Sequence, residues 1–509
     1  MYMLEKKEIN VYWFRRDLRL EDNIALFESS KLYNPAAVYI YDSDLLRSDD
    51  FSNLHNDFID DSIFELSKSY AEQDSELNVF YAPAIYVFKT LNNAYDIKSV
   101  ISSHTTDNWI TRKRDEKLKH FFFDNGINWK LYQSNGVLMY LKDRNGWSAK
   151  WNMQMGKEII PKPNISKFIK LQFKKEIFST KNNKIKKFNY EKNLSGGESK
   201  AILRLKKFLY DESLDYSNNI SSPLTSEKSC SRLSAYLAYG NISIRQIVHA
   251  TRARQEELRA LKVRNGWLKS LSAFSSRLRW HCHFIQKLEM QPNLEFTNMV
   301  RAYDALGREL NIDYFEKWKN GYTGYPMIDA CMRFLKTKGW INFRMRAMLV
   351  SFASYNLWLD WKQTSKYLSK FFTDYEPGIH YNQFQMQSGV TGINAVRIYN
   401  PVKQQFDQDP DGYFIRKWCP ELVSVPKDYL AHPHLMSQAL QKRIGCKIGY
   451  SYPNPVVDLK KSTLAAKKII YDIRNSPVAR RQARDVFLMH GSRKRSLRNH
   501  KNKIKLRFQ

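Results

Sequence analysis

Hydrophobic positions in the first third of the chain fall in short runs separated by polar turns. EINVYWFRRD at 8–17, PAAVYIYD at 35–42, LNVFYAP at 77–83, KSVISSH at 98–104 and INWKLYQSN at 127–135 each predict a short buried strand. Residues 58–70 and 115–123 instead repeat their apolar positions at helical spacing. This alternation predicts an α/β domain, a doubly wound parallel sheet of Rossmann-like type with helices on both faces. No GxGxxG follows the first strand, so that fingerprint places no dinucleotide there. WFRRDLRLEDN at 13–23 reads as a charged turn that either fixes the sheet edge through ion pairs or touches a ligand.

Strand patterns fade from about residue 198. SKAILRLKKFLY at 199–210, SRLSAYLAYG at 231–240 and residues 267–288 and 327–361 have helical spacing, so a second, larger all-α domain is expected. Residues 161–199 are dense in Lys, Asn, Ser and Ile, open on PKP and close on SGG, which reads as linker with little packing of its own. The expected division is an α/β domain over 1–135, a linker over 136–199, a helical domain over 200–485 and a basic tail over 486–509. In the tail Arg493, Lys494, Arg495, Arg498, Lys501, Lys503, Lys505 and Arg507 crowd together. It reads as disordered chain that is either simply solvated or adds nonspecific phosphate contacts.

Composition narrows the partner. With 43% hydrophobic and 14% aromatic residues, the 509-residue chain is not disordered as a whole. Its net charge of +31 points to a polyanion, and nucleic acid is the usual one because phosphate neutralisation releases counterions. Cys230, Cys282, Cys331, Cys419 and Cys446 are scattered and form no CxxC, which favours a reducing compartment and buried thiols over a metal site. No apolar leader and no membrane-length apolar run is present, so a soluble, cytoplasmic protein is expected; separately, it is expected to be a monomer.

GYPMIDACMRFLKTKGWINFRMRAMLVSFASYNLWLDW at 324–361, RIYNP at 397–401, FIRKWCPEL at 414–422 and VYWFRRDLRLEDNIAL at 11–26 resemble the photolyase/cryptochrome family. The resemblance runs from about Val11 to about Asp458. It implies an all-α FAD-binding domain, FAD as cofactor, damaged DNA as partner, and room for a second, antenna chromophore. SCSRLS at 229–234 resembles the family's phosphate-binding Thr-Ser-x-Leu-Ser motif with Cys230 in place of Thr; as bare sequence, Ser231 and Ser234 are only helix caps. The implied cofactor contacts are Tyr216 and Phe274, the Cys230, Ser231, Arg232, Leu233 and Ser234 run, and Arg277 with Phe343. Arg346 is expected to pair with Asp374 beside the flavin ring, near Glu376 and His380. Some relatives hold an iron–sulfur cluster on four cysteines, but without close ligand pairs none is expected here.

The departures concern the lesion pocket and the electron path. FSSRLRWHCHF at 274–284, aligned on Trp280, puts Arg277 where cyclobutane-repairing relatives have Glu, His281 where they have Arg, and Phe343 where they have Asn. Relatives that repair (6-4) lesions have His where Phe343 and Ala347 stand. The implied roles are stacking for Trp280, phosphate binding for Arg277, and a proton or hydrogen bond from His281, His283 or His380; each His reads equally well as a satisfied interior imidazole. Counted from Asp374, His380 faces flavin N5 and Phe384 replaces the first Trp of the electron-transfer chain; counting from RIYNP shifts this by about two residues. Trp361 matches the middle Trp and Arg308 stands at the outer position, leaving Trp340, Trp358, Tyr375 and Tyr381 as other carriers. Relatives that bind methenyltetrahydrofolate have Asn-Glu where Ile110 and Thr111 stand, so the antenna's identity is open. The implied activity is blue-light-driven repair of pyrimidine dimers, of either lesion class, by electron transfer to a flipped base. The alternatives are a cryptochrome-like light sensor without repair and a DNA-binding flavoprotein without photochemistry.

Overall fold

The computed structural model describes residues 6–172 and 185–491. β1 (Glu8–Phe14), β2 (Pro35–Tyr41), β3 (Leu77–Tyr81), β4 (Asp96–Ser103) and β5 (Asn128–Tyr132) pair in parallel in the order β3-β2-β1-β4-β5. Four lie within the runs that predicted them, and β4 starts two residues before its run, at Asp96. β2 is buried at every position, as a parallel strand covered on both faces requires. α1 (Asn53–Ala71) covers one face, packing Phe58, Ile63 and Leu66 on Tyr12, Phe14 and Tyr41. The opposite face carries α2 (Ala84–Ala94), unpredicted by periodicity, and α3 (Trp109–Asp124), which close Val87, Phe88 and Leu118 on Val11, Trp13 and Val38.

The rest of the described chain is mainly helical, as expected. α4 (Trp147–Met155), α5 (Glu198–Lys207), α6 (Ser234–Tyr239), α7 (Ile244–Ala260) and α8 (Trp267–Met290) lead toward the sheet. α9 (Pro326–Lys338), α10 (Phe343–Ser351), α11 (Trp361–Ser369) and α12 (Pro377–Gln387) form the second core with α13 (Leu459–Asn475) and α14 (Pro477–His490). The helical spacing at 327–361 resolves into two helices because Gly339, at φ 65°, ends α9 in the left-handed conformation. The α1 side of the sheet shares one core with the helical domain, Phe58 meeting Tyr236 and Tyr239 at 5.4 and 5.2 Å.

Two expectations are corrected here. The segment after residue 161 packs: Ile165 and Phe168 are buried in the α1-side core and Leu171 in the opposite one, since three apolar side chains among the lysines suffice to pin it. Residues 486–490, expected as tail, complete α14, where His490 is buried and meets Gln291 Oε1 at 2.9 Å. The basic run from 492 onward lies outside the described residues. No helix among the described residues is long and apolar enough to cross a membrane.

The charged turn after β1 fastens the two domains. Arg15 pairs with Asp115, Arg16 with Asp107 at 3.2 Å and Glu376 at 3.0 Å, and Arg19 donates to the Gly240 carbonyl at 2.9 Å. Asp22 receives Arg245, and the Leu18 amide donates to the Tyr239 carbonyl at 3.2 Å. Gly240 sits at φ 73°, and a Cβ there would lie 2.2 Å from the Arg16 carbonyl oxygen. Gly240→Ala is therefore expected to cost at least about 2 kcal/mol in urea unfolding. An unchanged midpoint would show that the junction yields.

α8 ends in a buried, uncompensated cation. Lys287 is 5% exposed, its ammonium lies over Phe284 at 5.5 Å, and it has no carboxylate partner among the described residues. Burial, with help from Arg144, lowers its pKa to about 7. The unfolded chain then binds more protons than the folded one from about pH 7 up to the ordinary lysine pKa, so this group makes stability rise with pH across that window. Lys287→Met is expected to stabilise the fold by about 1–4 kcal/mol at pH 7 and to flatten that rise, read from melting curves at pH 7 and 9. Equal pH slopes in both proteins would contradict the buried ammonium.

Candidate functional site

The site is built around the start of α6. Arg232 stands there at φ 55°, a left-handed conformation unusual for a side-chain-bearing residue, and lays its guanidinium over Trp340 at 4.1 Å. Arg204 braces the turn from below, donating to the Ser231 carbonyl at 2.8 Å and pairing with Glu212. Across from it Arg346 on α10 forks onto Asp374, Nη1 to Oδ1 at 3.0 Å and Nη2 to Oδ2 at 2.9 Å, while its Nε donates to the Ile341 carbonyl. Burial alone would push the Asp374 carboxyl up; the Arg346 charge and bonds from Arg346 and Ser234 outweigh it and hold the group below its usual range. Burial lifts the Cys230 thiol to about 12 against the pull of Arg232, Arg346, Arg204 and Arg277. Four guanidiniums thus act electrostatically on one half-buried thiol.

An aromatic flank adjoins these cations. Phe208, Tyr216 and Phe274 pack edge to face and tilted, with centroids 4.7–5.9 Å apart. Burial raises the Tyr216 phenol, and Arg277 hydrogen-bonds to it. The structure therefore brings together Tyr216, Cys230, Ser231, Arg232, Leu233, Ser234, Phe274, Arg277, Arg346 and Asp374. These residues fit a flavin dinucleotide: cations suit the pyrophosphate, hydroxyls and the Arg346–Asp374 pair suit the polar ring edge, and Arg232 Nε is buried with no partner among the described residues.

Three expected members lie elsewhere. Glu376 caps α12, accepts from Gly378 N at 3.4 Å, and pairs with Arg16. It lines a narrow interdomain crevice of ≈ 40 Å³ together with Arg16, His104, Asn135 and His281. Burial raises its pKa to about 7 against the opposing pull of Arg16. His281, expected beside Trp280, opens onto this same crevice, because successive helix residues diverge by about 100°. His380 is buried against Phe384, centroids 4.5 Å apart, and its Nε2 meets the Ser365 carbonyl at 2.9 Å. Burial holds both rings neutral, at about 4. His283, likewise, is driven to about 2 by burial and by Arg144.

On α12 the stripe that keeps some exposure is Ile379, Gln383 and Met386. Ile379 packs against the core that holds Tyr216 and Phe274, and Gln383 Oε1 is buried without a partner among the described residues. Gln383 is thus the free amide on this stripe. Motif alignment missed it because the two countings of this loop disagree; only helical phase separates 383 from 380.

One rim is open and aromatic. Trp280 is 46% and Phe343 44% exposed. The Arg277 guanidinium lies over Trp280 at 4.8 Å, and Phe284 meets that indole edge-on at 6.3 Å. Asn342, next to Phe343, donates to the Ile220 and Ser221 carbonyls at 2.9 and 2.8 Å, tying this rim to the Tyr216 helix. The tryptophans expected to carry electrons are divided. Trp340 lies beneath Arg232, whereas Trp358 is covered by Arg308 at 4.8 Å and Trp361 is fully buried, donating to Asn298 Oδ1 at 2.8 Å.

Residues 274–472 match the model of the FAD binding domain of DNA photolyase, and residues 10–143 match that of DNA photolyase. The deoxyribodipyrimidine photo-lyase of Alkalihalophilus pseudofirmus is 26% identical over 475 residues, 89% of this chain and 96% of that protein. Cryptochrome-2 of Arabidopsis thaliana is 27% identical over 515 residues, 93% of this chain and 80% of that protein. The solved structure of an archaeal photolyase from Sulfolobus tokodaii, described with two FAD molecules, superposes with a TM-score of 0.73 at 24% identity, covering 91% of this chain and all of that one. Found in this order on a sheet joined to a helical domain, the two matches show that the chain belongs to the photolyase/cryptochrome family and carries its FAD-binding domain.

Proposed function

We propose that the protein is a blue-light-driven DNA photolyase that splits pyrimidine dimers flipped out of the duplex. The observation that carries this reading is the open rim on α8, where Trp280 stands exposed under Arg277 two turns from Phe274 on the cofactor flank. A base stacked and paired in a duplex cannot lie on a protein side chain, and an exposed indole gives an extruded one a stacking surface. Arg277 offers N–H donors to phosphate or pyrimidine carbonyl oxygens. Ser231, Arg232, Ser234, Arg346 and Asp374 would hold FAD, with Gln383 as the amide nearest its ring. The chemistry that bound FAD supplies there is light-driven transfer of one electron to the dimer, returned after the dimer opens.

The protonation states favour cyclobutane dimers. Adding and returning one electron opens a cyclobutane ring with no net proton, whereas moving a group between the two bases of a (6-4) product calls for an acid. His281 and His380 are neutral and turned from Trp280, so neither supplies an imidazolium at that rim. The general rule for open α/β sheets puts an antenna chromophore outside the carboxyl ends of the strands; the two FAD molecules of the Sulfolobus protein make a second dinucleotide one candidate.

The net charge of +31 supports DNA as the partner. Removal of residues 491–509 is expected to weaken binding to undamaged duplex and to flatten the dependence of log affinity on log salt, since fewer counterions are released. A titration series between 50 and 200 mM salt reads this out, and an unchanged slope contradicts a role for the tail. The light-sensor reading shares the flavin site and differs at the rim: it requires no preference for damaged over undamaged DNA.

A further inference from the structure

A second cleft, of ≈ 220 Å³, lies between the 296–308 segment and the start of α11. Its wall is the buried Trp361, and its charged residues are Arg301, Asp304, Arg308, Asp360 and Lys362. The two carboxylates are already satisfied. Asp304 takes Arg301 at 2.7 Å and Asn298 at 2.8 Å; Asp360 accepts from the Lys362 amide at 3.0 Å, with the Lys362 ammonium 3.9 Å away. Arg308 is not. Its Nη2 donates to the Ser388 carbonyl at 3.1 Å and its plane rests on Trp358 and Tyr355, but Nε and Nη1 are shielded from solvent with no acceptor, and no carboxylate lies within ion-pair distance among the described residues. Burial lowers its pKa only to about 10, so it remains a cation at neutral pH.

The cleft thus sets three cations against two carboxylates, and Arg308, which feels the Asp360 charge only at a distance, is the cation without an ion-pair partner. Anions meet such groups through charge-assisted hydrogen bonds, and an unpaired buried charge is costly to keep. We infer that this cleft is a binding site for a small oxyanion, a carboxylate or a phosphate, held by Arg308 with Lys362 and Arg301 at its entrance.

Calorimetric titration of the full, FAD-loaded chain with inorganic phosphate and with succinate, at constant ionic strength set by chloride, tests this. One saturable site for either probe is expected, and which probe binds tells a phosphoryl ligand from a carboxylate. Arg308→Gln should weaken that site by roughly 10- to 150-fold, the worth of a charged hydrogen bond. Should that variant fail to fold, the double variant Arg301→Gln/Lys362→Met rests on side chains that are 57% and 44% exposed and should weaken the same site several-fold. Failure of both probes to saturate a single site, or equal affinity in wild type and in whichever variant folds, overturns the assignment.

Discussion

Replacing Trp280 by alanine is expected to lower affinity for duplex carrying a pyrimidine dimer by roughly 5- to 150-fold, the effect of losing about 1–3 kcal/mol of base stacking. Flavin content should not change. Trp280, 46% exposed on α8, is itself outside the Arg346–Asp374 pair and the α6 turn, and its neighbour Arg277, which does reach the cofactor flank, keeps its own interaction with Tyr216. Affinity for undamaged duplex should barely move, because that binding rests on phosphate contacts and not on an extruded base. Gel-shift or anisotropy titrations with matched damaged and undamaged duplexes separate the two. Equal losses on both would place Trp280 in general DNA binding and remove the lesion from this rim.

Asp374→Ala should strip the protein of most of its FAD. The carboxylate fixes Arg346 through two hydrogen bonds and is stabilised further by Ser234 at the start of α6, so its removal frees a guanidinium that is 24% exposed and takes that support from α6. Loss of charged hydrogen bonds of about 1.5–3 kcal/mol corresponds to roughly 10- to 150-fold in FAD affinity. Asp374→Asn keeps one acceptor for Arg346 and should fall between. The ratio of flavin to protein absorbance, with a melting curve to confirm folding, measures this. Full flavin content in a folded Asp374→Ala protein would move the cofactor away from the Arg346–Asp374 pair.

The sheet was legible because β1, β2 and β3 are short, nearly unbroken apolar runs, as a parallel sheet covered on both faces demands, while β4 keeps an apolar centre and β5 alternates at the edge. The Arg346–Asp374 pair was legible for a different reason: both residues lie in long motifs whose register is unambiguous. Between RIYNP and Asp374 the register is ambiguous by two residues, and there motif reasoning chose His380, which the fold turns onto the Ser365 carbonyl, while Gln383 went unnoticed. Phase also separates Trp280 from His281: neighbours in sequence, they face the open rim and the interdomain crevice respectively. The charged turn after β1 was undecided between ion pairs and ligand because its partners, Glu376, Gly240 and Arg245, lie more than 200 residues away. Such pairings follow from tertiary packing and leave no local pattern.

The central claim is light-driven repair at the Trp280 rim. Its most direct test is illumination of the reduced, FAD-loaded protein with one oligonucleotide carrying a defined cyclobutane dimer and another carrying a (6-4) product, each followed by chromatography of intact bases. Restored pyrimidines from the cyclobutane substrate, dependent on blue light and sharply reduced in Trp280→Ala, with the (6-4) product unchanged, is the expected outcome. No repair of either substrate by a flavin-loaded protein that binds damaged and undamaged duplex equally would contradict it and leave the light-sensor reading in its place.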